Sequence, residues 1–520
     1  MGEFYTFAKM GRNSEVTLMG YENGQKFVRK EFFTPRLWYP AVGKKEQCSK
    51  FKTMFGEPLV EKSFEMSKEL KSFEQDLSET GSPVYYFRRS LYQFLIEKYT
   101  KSIDIDYSLI RVMYLDIESE CEDGYPDVSE PNEIINAITI AMGDQVVCFG
   151  LENIEVDPTK YGLSSTFTYY AFEDEYNLLK AFVEMVAEWE PDIVTGWNIE
   201  FFDIPYIIAR GKKVLGDVLI KKLSPIGQLD LREIEKFGRT QIAGEIIGIA
   251  TLDYIDLYKK FSGKNQPSHK LGYITSVELG DTKLEDDDPT PMHLRYKTNY
   301  PQFIHYNVKD VLLVMALNKK LGLIDQAQAL AYQSFVMFGD VMSQVKTWEV
   351  YIARFLYDLN VVMPVSNPNA GHREEIDGAY VMPPKIGAMQ KWTSSFDLDG
   401  LYPNIQRMFN ISPEKLVYDD AEYKDVLETA DSEISREILA GGQGMTPLKI
   451  ATTKLRPLSK DQPYSLAYNN MLFRNNGPGY FPLIIKDLMT KRKAAKKKML
   501  DAKKLKEEIK KELQSRGISV

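Results

Sequence analysis

The stretch from residue 109 to residue 324 constrains the fold most tightly, because strand-like and helix-like patterns alternate along it. Leu109-Ile110-Arg111-Val112-Met113-Tyr114-Leu115 reads as a strand, and Ala137–Ile140 and Val146–Phe149 read as further strands. Helical spacing follows at Glu175–Trp189, Ile204–Val214 and Pro301–Leu321. Strands interleaved with helices predict an α/β domain. Gln228–Ala250 reads as a long hairpin inserted into it.

The flanks read differently, so the whole is expected to be an α/β multidomain chain. Residues 1–108 alternate apolar and polar positions around turns such as Glu22-Asn23-Gly24, which predicts a β-rich antiparallel leading domain. Helices over 325–360 are expected to return the chain to that domain, closing a segment 325–374. Residues 375–470 and 471–520 make two further parts. The last carries a helix from Phe481 to about Ser515, with Gly517 as its expected C-cap. Leu488, Ala495, Met499, Ala502, Leu505, Ile509 and Leu513 form one stripe along that helix. A solvated charged helix would tolerate such a stripe; the preferred expectation is half of a helical hairpin whose return helix lies on another polypeptide.

Bulk composition excludes some classes. Hydrophobic residues make up 44% of the chain and aromatics 12%, enough for several cores. No run of 18 apolar residues occurs and the N-terminus lacks the apolar core of a signal peptide. Gly2 fits a myristoylation pattern only loosely. The cysteines Cys48, Cys121 and Cys148 and four scattered histidines have no zinc spacing, so a reduced cytoplasmic setting is expected. The formal charge of −9 hides an asymmetry. Residues 481–520 hold thirteen Lys/Arg against five acids, a local +8 that leaves −17 for the rest. Enzymes that bind metal through carboxylates and DNA along basic tracks tolerate such a balance.

Four acidic segments carry the chemistry. They are Asp116-Ile117-Glu118, the run from Gly196 to Asp203, Tyr306-Asn307-Val308-Lys309-Asp310, and Asp397-Leu398-Asp399-Gly400-Leu401-Tyr402-Pro403. Two-metal phosphodiester hydrolysis needs three or four carboxylates around a space about 4 Å across, and a group that positions water. Asp116 and Glu118, two apart on a strand, point to one face. Tyr306 and Asp310 are stacked four apart on a helix, where the phenol could hold a water. Each element has an ordinary reading: an Asp-x-Glu pair arises by chance, and Trp197 and Phe201 suit a core. Together and in order, they make coincidence a poor explanation.

These segments resemble the Exo I, Exo II and Exo III motifs of the DnaQ-like, RNase H-like proofreading exonuclease in family B DNA polymerases. The resemblance is strongest to replicative polymerases of large tailed phages. Ser224-Pro225-Ile226-Gly227, the run Leu252–Lys260 and the opening Glu3-Phe4-Tyr5 also match that subgroup. The resemblance implies 3′–5′ exonuclease activity, with Asp116, Glu118, Asp203 and Asp310 as ligands of two Mg²⁺ ions, for which Mn²⁺ substitutes. It gives Tyr306 the water-orienting role, and sets Asn198 and Phe202 beside the 3′ end of single-stranded DNA. The hairpin near 228–250 would help part primer from template.

The fourth segment resembles Motif A of the polymerase palm. Asp397 would be the metal-binding carboxylate at a strand end, with the Leu398 carbonyl as a second ligand. Asp399, Gly400, Leu401 and Tyr402 would receive the deoxynucleoside triphosphate, Tyr402 lying under its sugar. Gly400 stands where the family commonly has Ser, and Asp399 adds an unusual carboxylate. Residues 477–499 resemble the first fingers helix, where Arg492 and Lys496 share a face suited to phosphates. A solvated basic face or a localisation signal are the plain alternatives. By this resemblance 375–470 is a partial palm and 471–520 half of the fingers.

The expectation is therefore the N-terminal subunit of a split phage-type DNA polymerase in the cytoplasm of a bacterial host. It would act on primer-template DNA, with a C-terminal subunit supplying the remaining palm, fingers and thumb, and a sliding clamp reached through that subunit. A stand-alone exonuclease, a non-catalytic nucleic-acid scaffold and a truncated longer polymerase are the alternatives. The first leaves Asp397, Arg492 and Lys496 without a task.

Overall fold

A computed structural model describes residues 2–516 apart from 42–47, 88, 101, 102, 104, 122–125, 158–165, 237, 238, 281–289, 291–293, 364, 366–391, 393, 420, 423–431, 438–444, 451–454, 457–462 and 468–470. Gly517, the expected C-cap, lies outside the described residues. The chain divides into two compact units, residues 1–39 with 61–354 and residues 40–60 with 355–520. No helix among the described residues is long and apolar enough to cross a membrane.

The first unit opens with β1 (Glu3–Met10), β2 (Glu15–Glu22) and β3 (Gln25–Phe32), an antiparallel three-stranded sheet. Asn23 and Gly24 join the last two strands with φ of 52° and 83°. A two-residue turn with both φ positive matches the twist of its strands, and glycine takes the second position without Cβ strain. Next come β4 (Arg36–Pro40), β5 (Leu59–Ser63), α1 (Ser67–Glu79) and α2 (Ser90–Lys98). The leading segment is thus more helical in its second half than its alternation predicts. The apolar residues of α2, Tyr92, Phe94, Leu95 and Ile96, are buried.

The central sheet has strand order β13-β10-β6-β7-β8-β9. Its strands are β6 (Val112–Ser119), β7 (Ile135–Met142), β8 (Gln145–Gly150), β9 (Thr166–Ala171), β10 (Ile193–Gly196) and β13 (Ala250–Asp253). β13, β10 and β6 run parallel, β7 is antiparallel to β6 and β8, and β9 runs parallel to β8. Alternation along β6 separates its two faces. Met113, Leu115 and Ile117 join Ile138 and Ile140 in a core shared with Leu178 and Phe182 of α3 (Glu175–Trp189) and Ile204 and Ile207 of α4 (Asp203–Leu215). Tyr114, Asp116 and Glu118 take the other parity, and the Tyr114 hydroxyl accepts a hydrogen bond from Asn318 Nδ2. The expected hairpin is present as β11 (Leu229–Lys236) paired with β12 (Arg239–Ile246). After α4 come α5 (Asp217–Ile220), α6 (Tyr254–Phe261), α7 (Leu271–Leu279), α8 (Arg295–Thr298), α9 (Tyr300–Leu321), α10 (Leu323–Ser334) and α11 (Gln344–Asp358).

Asp192, only 1% exposed, ties the leading sheet to the central one. Its carboxylate accepts from Thr6 Oγ1 (3.2 Å), Tyr21 Oη (2.8 Å) and the Arg111 N–H (2.9 Å), and pairs with Lys26 Nζ at 2.9 Å. A buried charge persists only where such donors replace water. A second buried pair, Glu175 with Arg210 at 2.6 Å, joins α3 to α4, and Glu175 also accepts the Ile135 N–H.

The second unit contains α12 (Leu401–Met408), a hairpin of β14 (Ser432–Glu437) and β15 (Met445–Ile450), a small sheet of β16 (Leu455–Arg456), β17 (Tyr464–Leu466) and β18 (Leu472–Arg474), and the terminal helix α13 (Tyr480–Ser515). The helix occupies almost the range its periodicity predicts. Met499, Leu505 and Ile509 of its stripe are 46%, 56% and 48% exposed, so the middle of the stripe is uncovered among the described residues.

Candidate active site

Gly196 ends β10 at a close approach. A Cβ there would sit 2.3 Å from the Leu115 carbonyl oxygen, so only glycine lets the strand pass β6 at this point. β10 accompanies β6 only as far as Tyr114. Beyond it the Ile117 N–H is taken by Asp203 Oδ1 at 3.0 Å. The run from Gly196 to Asp203 therefore turns back so that its last residue, in the first turn of α4, lies against the β6 backbone between Asp116 and Glu118.

A buried carboxylate holds that turn. Asp253 at the end of β13 is 5% exposed, and it accepts the N–H groups of Asn198 (3.0 Å), Glu200 (3.1 Å) and Ile255 (3.1 Å). Asn198 has φ of 72°, a left-handed conformation that costs a non-glycine residue unless its surroundings hold it. Trp197 adds a bond from Nε1 to the His269 carbonyl (3.1 Å), and Phe202 stacks on Tyr206 with ring centroids 5.7 Å apart. Asp253 lies in the Leu252–Lys260 run, but its role is not visible in the sequence without knowing that β13 pairs with β10.

The third carboxylate source is α9, which packs across β6, β7 and β8. Asp310 is 7% exposed, while Tyr306 is half-buried. Between them in sequence, Asn307 is fully buried and donates from Nδ2 to Asp116 Oδ2 at 2.7 Å; its Oδ1 accepts from the Thr139 hydroxyl. Asn307 was not among the residues singled out from sequence. The β6–β7 register breaks between Glu118 and Ser119, a bulge beside the second carboxylate of the pair.

Electrostatics follow from this crowding. Burial pushes the Asp203 carboxyl well above the usual range; the Asp253 and Asp310 charges raise it further, and the Ile117 N–H opposes the rise. Burial likewise pushes Asp253 up to about 7, opposed by the Glu200 and Asn198 N–H groups. Closely set carboxylates in low dielectric resist ionising together. Among the described residues no three Asp, Glu, His or Cys side chains stand close enough to form a metal-ligand group. Asp203 is turned to the Ile117 N–H and Asp116 to the Asn307 amide. The donor set itself, four carboxylates with neither thiolate nor imidazole, is the chemistry of a hard cation such as Mg²⁺.

The expected polymerase residues lie in the second unit and are arranged otherwise. Asp397 is exposed and not on a strand, which corrects the expectation of a strand-end carboxylate. Phe396 and Leu398 beside it are 92% and 68% exposed. A strand needs a partner for its backbone groups, and none pairs with this segment among the described residues. Gly400 caps α12 with φ of 64°, followed by Leu401 and by Tyr402, 70% exposed. Arg492 of α13 approaches Asp399, Nη1 to Oδ1 3.6 Å, and Lys496 is exposed one turn further on. α12 lies against α13, and Arg407 contacts the Met489 sulfur at 3.7 Å.

Comparison with known proteins fits both regions. Residues 90–274 match the exonuclease domain of DNA polymerase family B, and residues 338–516 match DNA polymerase family B itself. Tyr306 and Asp310 fall between the two matches. The DNA-directed DNA polymerase of Escherichia phage RB69 is 30% identical over 541 aligned positions, covering 100% of this chain and 56% of its own length. That of Enterobacteria phage T4 is 29% identical, covering 98% of this chain and 56% of its own length. The DNA polymerase delta catalytic subunit of Plasmodium falciparum is 26% identical over 62% of this chain. The chain spans about half the length of the phage relatives. With exonuclease-domain and polymerase sequence in succession over more than half its length, and phage relatives matching nearly end to end, the chain belongs to DNA polymerase family B.

Proposed function

We propose that the first unit removes nucleotides hydrolytically from the 3′ end of single-stranded DNA. The observation that carries this reading is the convergence of Asp203 on the β6 backbone between Asp116 and Glu118, beneath a helix that brings Asn307 and Asp310 to the same face. Asp116, Glu118, Asp203 and Asp310 would hold two Mg²⁺ ions, with Mn²⁺ able to replace them. Bound there, the ions supply Lewis acidity at the scissile phosphate. Tyr306 orients the attacking water through its hydroxyl. Asn198, its amide fixed by Asp253, and Phe202 guide the 3′ end, and the β11–β12 hairpin helps to part primer from template. The sheet order β13-β10-β6-β7-β8 supports an RNase H-like reading of this domain.

The second unit, on the same proposal, contributes part of a nucleotidyl-transfer site. Asp397 and the Leu398 carbonyl would bind metal. Asp399, Gly400, Leu401 and Tyr402, with Arg492 and Lys496, would meet the deoxynucleoside triphosphate. The exposure of these residues and of the α13 stripe supports a site completed by further polymerase sequence, which we place on a companion subunit, with any sliding clamp bound through it. The domain limits 1–108 with 325–374, 109–324, 375–470 and 471–520 belong to the same proposal, as does residence in the bacterial host cytoplasm.

Primer extension on a recessed template, with Mg²⁺ and all four nucleotides, tests both halves while 3′ excision is followed in the same lanes. Excision by the chain alone, with extension only on adding a companion bearing the remaining palm and thumb, supports the proposal. Excision without extension in either lane leaves a dedicated exonuclease. No excision from single-stranded DNA overturns the nuclease reading.

A further inference from the structure

The exonuclease reading gives tasks to Tyr306 and Asp310 on α9 but none to Asn307 between them. Asn307 and Thr139 are both fully buried, and Asp116 is directly paired with Thr139 in the β6–β7 register. Opposed residues of an antiparallel pair project to the same face with Cβ atoms about 5 Å apart. Asn307 lies against that pair, bonded to both members.

The polarity of this chain of bonds follows from the groups at its ends. An ionised Asp116 can only accept, so the Asn307 atom facing it is the Nδ2 donor. The carbonyl oxygen Oδ1 then faces Thr139, whose hydroxyl rotates to donate. Each group has one task that only its own chemistry meets: a hydroxyl donor, an amide that accepts at one end and donates at the other, and a carboxylate. The 2.7 Å contact is the length of a charge-assisted bond. It fixes the plane of the Asp116 carboxylate from the protein side.

We propose that Asn307, oriented by Thr139, is a positioning residue that sets the Asp116 carboxylate for divalent-metal binding. A leucine at 307 keeps nearly the same branched shape and removes both polar ends. A valine at 139 keeps the shape of threonine and removes the orienting hydroxyl. Partners of this kind behind a metal ligand are worth about 10- to 100-fold in metal affinity.

The inference rests on the exonuclease reading, so its test separates the two. Mn²⁺ is titrated into the DNA-free full chain and followed by electron paramagnetic resonance, with thermal melting and single-strand excision measured alongside. Asn307→Leu is expected to weaken Mn²⁺ binding about tenfold or more and to lower kcat, with KM for a single-stranded oligonucleotide unchanged. Thr139→Val is expected to weaken binding by a smaller factor, and the double variant to be no worse than Asn307→Leu, because both act through one bond. Folded Asn307→Leu protein that binds Mn²⁺ like the wild type overturns the positioning role and leaves the exonuclease reading standing. Should Asn307→Leu not fold, wild-type Mn²⁺ affinity in folded Thr139→Val overturns it instead. A wild-type chain that neither binds Mn²⁺ nor excises overturns both.

Discussion

The two sets of acidic residues in this chain occupy opposite environments. In the first unit Asp203 and Asp310 are 4% and 7% exposed and the bond from Asn307 to Asp116 is built from a buried amide. In the second, Leu398 and Tyr402 are 68% and 70% exposed, and the Arg492–Asp399 ion pair between the Motif A-like segment and α13 spans 3.6 Å between exposed side chains. A site whose orienting groups are packed inside its own unit is set by that unit's folding. A site whose residues stand in solvent takes its geometry from whatever covers it.

The largest expected effect tests the buried side. Asp203→Ala should lower 3′ excision about a thousandfold, several kcal/mol of transition-state stabilisation, while leaving the melting temperature unchanged or higher. The sign is a balance: alanine removes a carboxylate that burial makes costly to ionise, which offsets the one acceptor lost to the Ile117 N–H, whereas Asp253 serves three such groups. Wild-type excision rates in the purified variant would refute the ligand assignment. Next comes Asp192→Ala, which strips a common acceptor from Thr6, Tyr21, Lys26 and the Arg111 N–H. Urea denaturation should show a loss of about 3–5 kcal/mol. A loss under 1 kcal/mol would show that the leading sheet is dispensable to the central one. Asp253→Ala leaves three backbone N–H groups without their acceptor and should cost about 2–3 kcal/mol, with excision reduced through a misplaced Asn198 turn. The smallest effect belongs to the exposed side. Asp399→Ser should change stability by less than about 1 kcal/mol and excision not at all. A measurable change in excision would break the contrast between the two units.

Much of the first unit could be read from the chain because its signals are local. The apolar run into Asp116, the spacing within α3 and the Asn23-Gly24 turn each specify an element within a short window of sequence. What escaped depends on pairing. Asp253 matters because β13 lies beside β10, and Asn307 because α9 crosses β6 opposite Thr139; no window of sequence holds both partners. The α2 helix escaped because the burial of Tyr92 to Ile96 overrides the alternation of the segment before it. In the second unit the residue identities are as informative as in the first, yet the strand expected at Asp397 is missing among the described residues. Strand propensity without a paired neighbour leaves backbone groups to water, and water then decides the conformation.

The carboxylate at Asp192 also bears on how the domain matched to the family exonuclease could be excised. Its family match begins at residue 90, which invites trimming the chain there to obtain a minimal nuclease. Such a fragment would keep Asp192 at the end of its sheet but lose Thr6, Tyr21 and Lys26, three of the four groups that satisfy it. The natural module is therefore larger than the motif-bearing one. The leading sheet travels with the matched domain because it supplies the donors that solvate one buried carboxylate in the wall of that domain.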